Sequence, residues 1–147
     1  SSKISDGASC LLVMSREKAE TLGCKPLVRL VSQGAAGLPL EDVLVTPIKS
    51  IPKVLAKAGL SIDDIGLHEL NEAFAATSVA IVKELGIDMK RVNVNGGAVA
   101  LGHPIGCSGA RVLTTLIYAM KERNVHYGMA SLCLGGGEAV SAIVENL

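Results

Sequence analysis

The sequence predicts an α/β fold in which a mixed five-stranded sheet is covered by helices. Two observations carry that expectation. Short aliphatic runs and segments of helical period alternate along the 147 residues in the order strand, helix, strand, helix, strand, helix, helix, strand, strand. Hydrophobic residues make up 49% of the chain, yet its aromatics are two Tyr and one Phe, with no Trp. A core of Ala, Val, Leu and Ile suits helices packed closely on a central sheet. A chain of this length buries roughly 68–70% of its unfolded surface, so residues 1–147 are expected to form one domain with a real core.

The elements follow in order. "GASCLLVMS" (7–15) is an apolar run ending in a polar cap and reads as a buried strand. "REKAETLG" is charged and closes on Gly23, a helix with a C-terminal glycine. "PLVRLVSQGAA", rich in Val and Leu, is the second strand, and "LEDVLVTP" is irregular or partly helical. In "IKSIPKVLAKAGL", Ile51, Val54, Leu55 and Ala58 recur at helical spacing and mark a buried face that Gly59 ends. Lys49, Lys53 and Lys57 stand four apart on another face; they suit an anionic ligand such as a nucleotide phosphate, or simply a solvated surface. "IGLHELN" is a short strand, and "EAFAATSVAIVKELG" a helix whose Phe74, Ser78, Ile81, Val82 and Leu85 share a face. After a glycine-rich loop, Val112, Leu113, Leu116, Ile117 and Met120 define another helix. "YGMASLCLGGG" and "EAVSAIVENL" are two strands joined by a glycine turn, an antiparallel pair.

Charge and cysteine usage narrow the function. Fourteen basic side chains balance fourteen acidic ones, whereas binding to nucleic acid or an anionic membrane surface calls for a basic excess. No apolar run approaches the ~20 residues of a membrane span, and no basic segment followed by an apolar one opens the chain as a signal peptide does. The chain starts at Ser1 and not Met, as a processed product or a piece of a longer protein does. Cys10, Cys24, Cys107 and Cys133 are widely spaced without a CxxC pair, so reduced thiols in an intracellular protein are expected, with no metal site. The cytoplasm is the expected location, or the mitochondrion or peroxisome in a eukaryote.

Three segments place reactive side chains where the backbone turns. In "NEAFA", Asn71 is either an N-cap or a side chain whose amide holds a water or a substrate oxygen. In "GHPIG", His103 stands among glycines and a proline, where a ligand can approach closely. An imidazole titrates near neutrality and serves as base or donor, although a loop histidine bonded to a carbonyl is the plain alternative. In "CLGGG", Cys133 precedes three glycines whose N–H groups are open to an oxyanion. A thiol there is an acid–base group, a nucleophile, or an inert buried residue. Cys10 and Cys24 fit the inert, buried description, and Cys107 packing at a helix start; His68 and His126 have no comparable case.

Together, "NEAFA", "GGAVALGHPIGCSGAR" and "CLGGG" in this order resemble the thiolase family, specifically the C-terminal half of acetyl-CoA acetyltransferase-like enzymes. The likeness runs from "SDGAS" to the end of the chain. It implies one half of a five-layered fold made from two similar α/β halves, and a homo-oligomer as the usual assembly. It further implies that His103 activates a nucleophilic cysteine and, with a water held by Asn71, binds the thioester oxygen. Cys133 moves the proton during carbon–carbon bond making or breaking, and Gly135 supplies an N–H to a second oxyanion hole. Phe74 and Ile105 line the pantetheine channel, and Ser2 meets coenzyme A. The substrates implied are acyl-CoA and coenzyme A, with no metal or redox cofactor.

Two departures stand out. The acyl-accepting cysteine of the family lies in its N-terminal half, which this chain does not contain, so the chain alone is expected to be inactive and to associate. "VLVTPIKS" (43–50) replaces a Met- and Gly-rich stretch near the pantetheine, leaving the acyl-chain preference open. The rival expectation is a non-catalytic half-module that binds acyl-CoA or a partner subunit. A decarboxylating ketoacyl synthase fits less well, since that sister family generally carries histidine where Cys133 stands.

Overall fold

A computed structural model describes all 147 residues. Four strands, β1 (Val28–Gly37), β2 (Leu67–Leu70), β3 (Tyr127–Leu134) and β4 (Glu138–Asn146), form one sheet in the order β1-β4-β3-β2. The β2–β3 pair is parallel, and β4 runs antiparallel to both neighbours, so the sheet is mixed as expected. Its helices are α1 (Arg16–Thr21), α2 (Pro47–Ala58), α3 (Ala75–Leu85), α4 (Ala98–Leu101) and α5 (Ser108–Arg123). Residues Leu40–Val45 form a 3₁₀ helix, in line with the partly helical reading of that stretch.

The sheet has four strands and not five, because residues 7–15 pair with none of them. Both edges are already blunted. On β1, Lys53 Nζ donates to the Ala35 carbonyl at 2.8 Å and Lys57 Nζ to that of Gln33 at 3.2 Å. Two of the three lysines on α2 thus close an edge that would otherwise recruit another strand. On β2, the Asn93 side chain takes the place of a strand: its Oδ1 accepts from Leu70 N at 2.9 Å and its Nδ2 donates to Leu70 O at 3.0 Å. The 7–15 segment instead runs over the GHPIG loop and α5. A side chain at Gly7 would sit 2.8 Å from Pro104 Cγ, and the hydroxyls of Ser9 and Thr114 are 3.4 Å apart. Leu12 and Val13 are therefore exposed, as is Cys10; Cys24, just beyond α1, is exposed too, against the buried placement expected for both thiols.

The core divides into two clusters, one on each face of the sheet. Ile51, Val54 and Leu55 of α2 and Ile81 of α3 pack with Leu70, Met129 and Ile143 on one face. Val112, Leu116, Ala119 and Met120 of α5 pack with Leu67, Ala130 and Val144 on the other. The side-chain alternation of a strand explains the division: Met129 and Ala130 are neighbours in sequence and face opposite layers. Helix ends follow the glycine reading, with Gly59 and Gly86 left-handed at φ 69° and 66°. The face expected for α3 holds at Ser78 and Ile81, but Phe74 lies before the helix and is exposed.

Candidate active site

Two parallel strands end side by side at one edge of the sheet. Leu70 of β2 is in register with Ser131 of β3, and Asn71 N donates to Ser131 O at 2.9 Å. That bond extends the ladder one residue past β2 and fixes Asn71 at the strand's exit. Asn71 is buried and does not cap α3, whose N-cap position belongs to Phe74. Its amide turns instead to the glycine-rich loop: Asn71 Nδ2 lies 3.3 Å from His103 Nε2. The Oδ1 of the same amide is buried without a partner.

His103 reaches this position because the loop is less irregular than its composition suggests. Residues 98–101 form the short helix α4, and Gly102 leaves it at φ 95°, a conformation that side-chain-bearing residues rarely adopt. The imidazole is then gripped from behind. Its Nδ1 is 2.6 Å from Ser108 Oγ, and that hydroxyl donates to the Pro104 carbonyl at 3.0 Å. Burial, and next the nearby Arg111 guanidinium, hold the His103 pKa below its ordinary value. Both effects favour the neutral form of the ring, the form that a base requires.

The N-terminal residues tie the two loops together. Ser2 N donates to Ala73 O at 2.8 Å, which sets Ser2 against the NEAFA turn, and His103 N donates to Lys3 O at 3.4 Å. Glu72 braces the opposite side, where its Oε2 accepts from Val99 N at 3.1 Å.

Cys133 lies two residues beyond Ser131 on β3, at the same end of the sheet as Asn71. Its thiol is half-buried and makes no hydrogen bond to His103 or Asn71, whose side chains bond each other. Burial pushes its pKa up, partly offset by a backbone hydrogen bond. The turn that follows is fixed by Gly137 at φ 90°, whose carbonyl accepts from Leu38 N at 2.9 Å and Thr46 Oγ1 at 3.1 Å. Gly135 is different: a Cβ there would meet nothing within 4 Å, and no positive φ demands glycine. Phe74 and Ile105 are both exposed apolar side chains, Ile105 at 83%. The structure thus joins His103 directly to Asn71 and seats Ser2 beside them, while Cys133 and Gly135 occupy the adjoining strand end.

A sequence model of the family described as "Thiolase, C-terminal domain" matches residues 24–146. The chain belongs to the thiolase family. It is 48% identical to the 3-ketoacyl-CoA thiolase of Bacillus subtilis and 51% identical to an acetyl-CoA acetyltransferase of Syntrophomonas wolfei. Both matches cover 99% of this chain but 37% of the relative, so the chain spans little more than a third of their length. Among solved structures it superimposes on the acetyl-CoA acetyltransferase of Bacillus anthracis with a TM-score of 0.89 at 47% identity, covering 91% of this chain and 34% of that one.

Within this thiolase domain, motif reading passed over three features. Ser108 was visible only as part of "GCSGAR". Asn93 replaces a strand with its amide, at φ 47°, which the sequence signals faintly through the tolerance of Asn for left-handed backbone. The third is a pair beneath the imidazole, Glu69 of β2 and Arg111 of α5, whose carboxylate and guanidinium are 3.8 Å apart. Burial pushes Glu69 up to about 7, with Arg111 pulling the other way. Glu69 lies in the short strand "IGLHELN" and Arg111 closes "GGAVALGHPIGCSGAR", but nothing in either stretch signals that the two side chains meet.

Proposed function

We propose that this chain is the C-terminal catalytic half of an acetyl-CoA C-acyltransferase, which condenses two acyl-CoA molecules or cleaves a 3-ketoacyl-CoA with coenzyme A. One observation carries the reading: an imidazole and a buried, half-used amide meet at the strand end that also bears a thiol and an unneeded glycine. The names of the relatives, thiolases and acetyltransferases, support it.

The chemistry follows from these groups. A Claisen condensation forms a carbanion beside a thioester, whose oxygen takes the charge. Preorganised donors at such an oxygen contribute about 3–4 kcal/mol each to a transition state. His103 and a water on Asn71 are suited to that oxygen, and the Gly135 N–H to that of the second acyl group. Cys133, its thiol raised by burial, is a strong base once ionised and takes the α-proton in condensation. In cleavage it returns the proton to the departing carbanion. In this reading Phe74 and Ile105, both exposed, line the pantetheine channel and Ser2 meets coenzyme A. No group of three or more His, Cys, Asp or Glu side chains gathers to hold a metal. The acyl-accepting cysteine, an N-terminal half and a homo-oligomeric assembly are expected from the remainder of the protein. An intracellular location rests on the four unpaired cysteines.

In the full-length protein, His103→Ala and Cys133→Ala should each lower turnover by about 10²–10⁴-fold, the range of a lost acid–base group. Near-wild-type turnover of either variant rejects the reading. Mass spectrometry after incubation with acetyl-CoA should find an acylated cysteine outside this chain. Coenzyme A binding without acylation favours the non-catalytic half-module.

A further inference from the structure

We infer that Ser108 is a positioning residue that decides which ring nitrogen of His103 carries the proton, an inference that rests on the role proposed for His103. A carbonyl oxygen only accepts hydrogen bonds, so we assign the single hydroxyl proton of Ser108 to Pro104 O at 3.0 Å, a carbonyl that also accepts from two backbone N–H groups. His103 Nδ1, 2.6 Å from the same hydroxyl oxygen, is then the donor of that pair. A neutral imidazole protonated on Nδ1 carries its lone pair on Nε2. The amide nitrogen of Asn71, which can only donate, stands 3.3 Å from that atom. Each contact from Asn71 through His103 and Ser108 to Pro104 has one donor and one acceptor. The opposite tautomer needs the Asn71 amide turned over and the Ser108 proton withdrawn from Pro104.

The local fold makes this arrangement hard to change. Ser108 is the first residue of α5, is 1% exposed, and follows His103 by one tight turn. That turn is closed by Cys107 N and Ser108 N, which donate to Pro104 O at 2.9 and 3.0 Å. The charged groups nearest the ring are Arg111, from the next turn of α5, and Glu69 of β2 paired with it. No hydrogen bond links either one to Nδ1, which Ser108 occupies. The hydroxyl therefore sets the tautomer while the ion pair supplies charge alone.

The consequence for the reaction is specific. With Nε2 unprotonated, and the Asn71 amide giving way to the thiol, the imidazole takes the proton of an attacking thiol: the S–H bond breaks, an Nε2–H bond forms, and a thiolate remains. The resulting imidazolium still donates from Nδ1 to Ser108 and now offers Nε2–H to a thioester oxygen. Ser108 accepts from Nδ1 in both states, so the ring itself need not reorient, and it is the Asn71 amide that turns its nitrogen away when Nε2 is protonated.

The test is made on the full-length protein labelled with ¹⁵N-histidine, without substrate. Two-bond ¹H–¹⁵N correlation separates the tautomers, and the signal that disappears in His103→Ala is assigned to this ring. The wild type should show a protonated Nδ1 and an unprotonated Nε2. Ser108→Ala should shift the population toward Nε2–H and lower kcat by about tenfold or more, with KM for acetyl-CoA within about twofold. Ser108→Thr, which keeps the hydroxyl, should restore both the spectrum and kcat. An Nε2–H ring in the wild type overturns the inference, and so does a Ser108→Ala variant that keeps both the Nδ1–H tautomer and kcat. If Ser108→Ala does not fold, the wild-type spectrum alone decides. The two readings fail separately: full turnover in His103→Ala removes the proposed role of the ring, whereas the tautomer is read without any turnover.

Discussion

His68 offers the sharpest test of the electrostatics because its ring is buried with Nδ1 unpartnered. It faces a polar pocket lined by Asp63, Asp88 and Arg91 at the far end of β2 from Asn71. Burial first, then the Arg91 cation, lower its pKa from 6.5 to about 4. Between those values the unfolded chain binds the proton and the native state does not. Stability from this group is thus fully present above pH 6.5 and is lost as pH falls toward 4. A tenfold change in proton affinity corresponds to about 1.4 kcal/mol, so the window holds about 3 kcal/mol. His68→Leu removes the titration and the orphaned nitrogen together. Urea unfolding at low protein concentration, repeated from pH 4 to pH 8, gives the stability difference between variant and wild type. That difference should be flat above pH 7 and move about 3 kcal/mol in favour of the variant by pH 4. All other titrating groups are common to both proteins and cancel. Parallel curves down to pH 4 would show that the buried ring meets its proton as easily as a free one, and that burial at this site carries no electrostatic cost.

Three further outcomes follow from the packing. Glu69, raised to about 7 from 4.5, has the opposite sign: the native state keeps its proton, so stability falls as pH rises through that window, and Glu69→Gln should abolish that slope in the same urea series. Met120 is fully buried under α5 against Leu116 and Gly128, so Met120→Ala should cost about 2–5 kcal/mol by urea unfolding with an unchanged m-value. Gly137→Ala places a Cβ 2.6 Å from Leu38 O at φ 90° and should cost about 1–3 kcal/mol in thermal or urea unfolding, a loss that a neutral result would contradict.

The parts of the fold that local chemistry dictates were legible in the sequence. The faces of α2 and α5, the β3–β4 hairpin and the glycine ends of α2 and α3 emerge as the residue pattern requires. The failure at residues 7–15 has a physical cause. An apolar run states that a segment can pair but not whether an edge is free, and here Lys53, Lys57 and Asn93 occupy both edges. Those three are tertiary choices made by side chains from distant elements. The motifs single out His103 and Asn71, whereas Ser108 and Arg111 lie in the same "GGAVALGHPIGCSGAR" stretch with contacts that only the fold shows, since each acts through another side chain.

Two of the three glycines of the β3–β4 turn, Gly135 and Gly137, separate folding from function within three residues. Gly137 has an internal reason: positive φ and a carbonyl where a Cβ would fall. Gly135 has none, since the space beside it is open and its backbone is one that alanine adopts. A glycine that the fold does not need lowers stability through unfolded-chain entropy. The open space beside Gly135 and Cys133 leaves room for a neighbour outside this chain to approach the bare backbone. Gly135→Ala should raise the unfolding free energy by about 0.4–1 kcal/mol. In the full-length protein the same change should lower turnover by about 10²-fold, on the scale of a lost oxyanion contact. A variant as active as the wild type would mean that the substrate never comes close to this turn, and that the open space beside Cys133 has no bearing on catalysis.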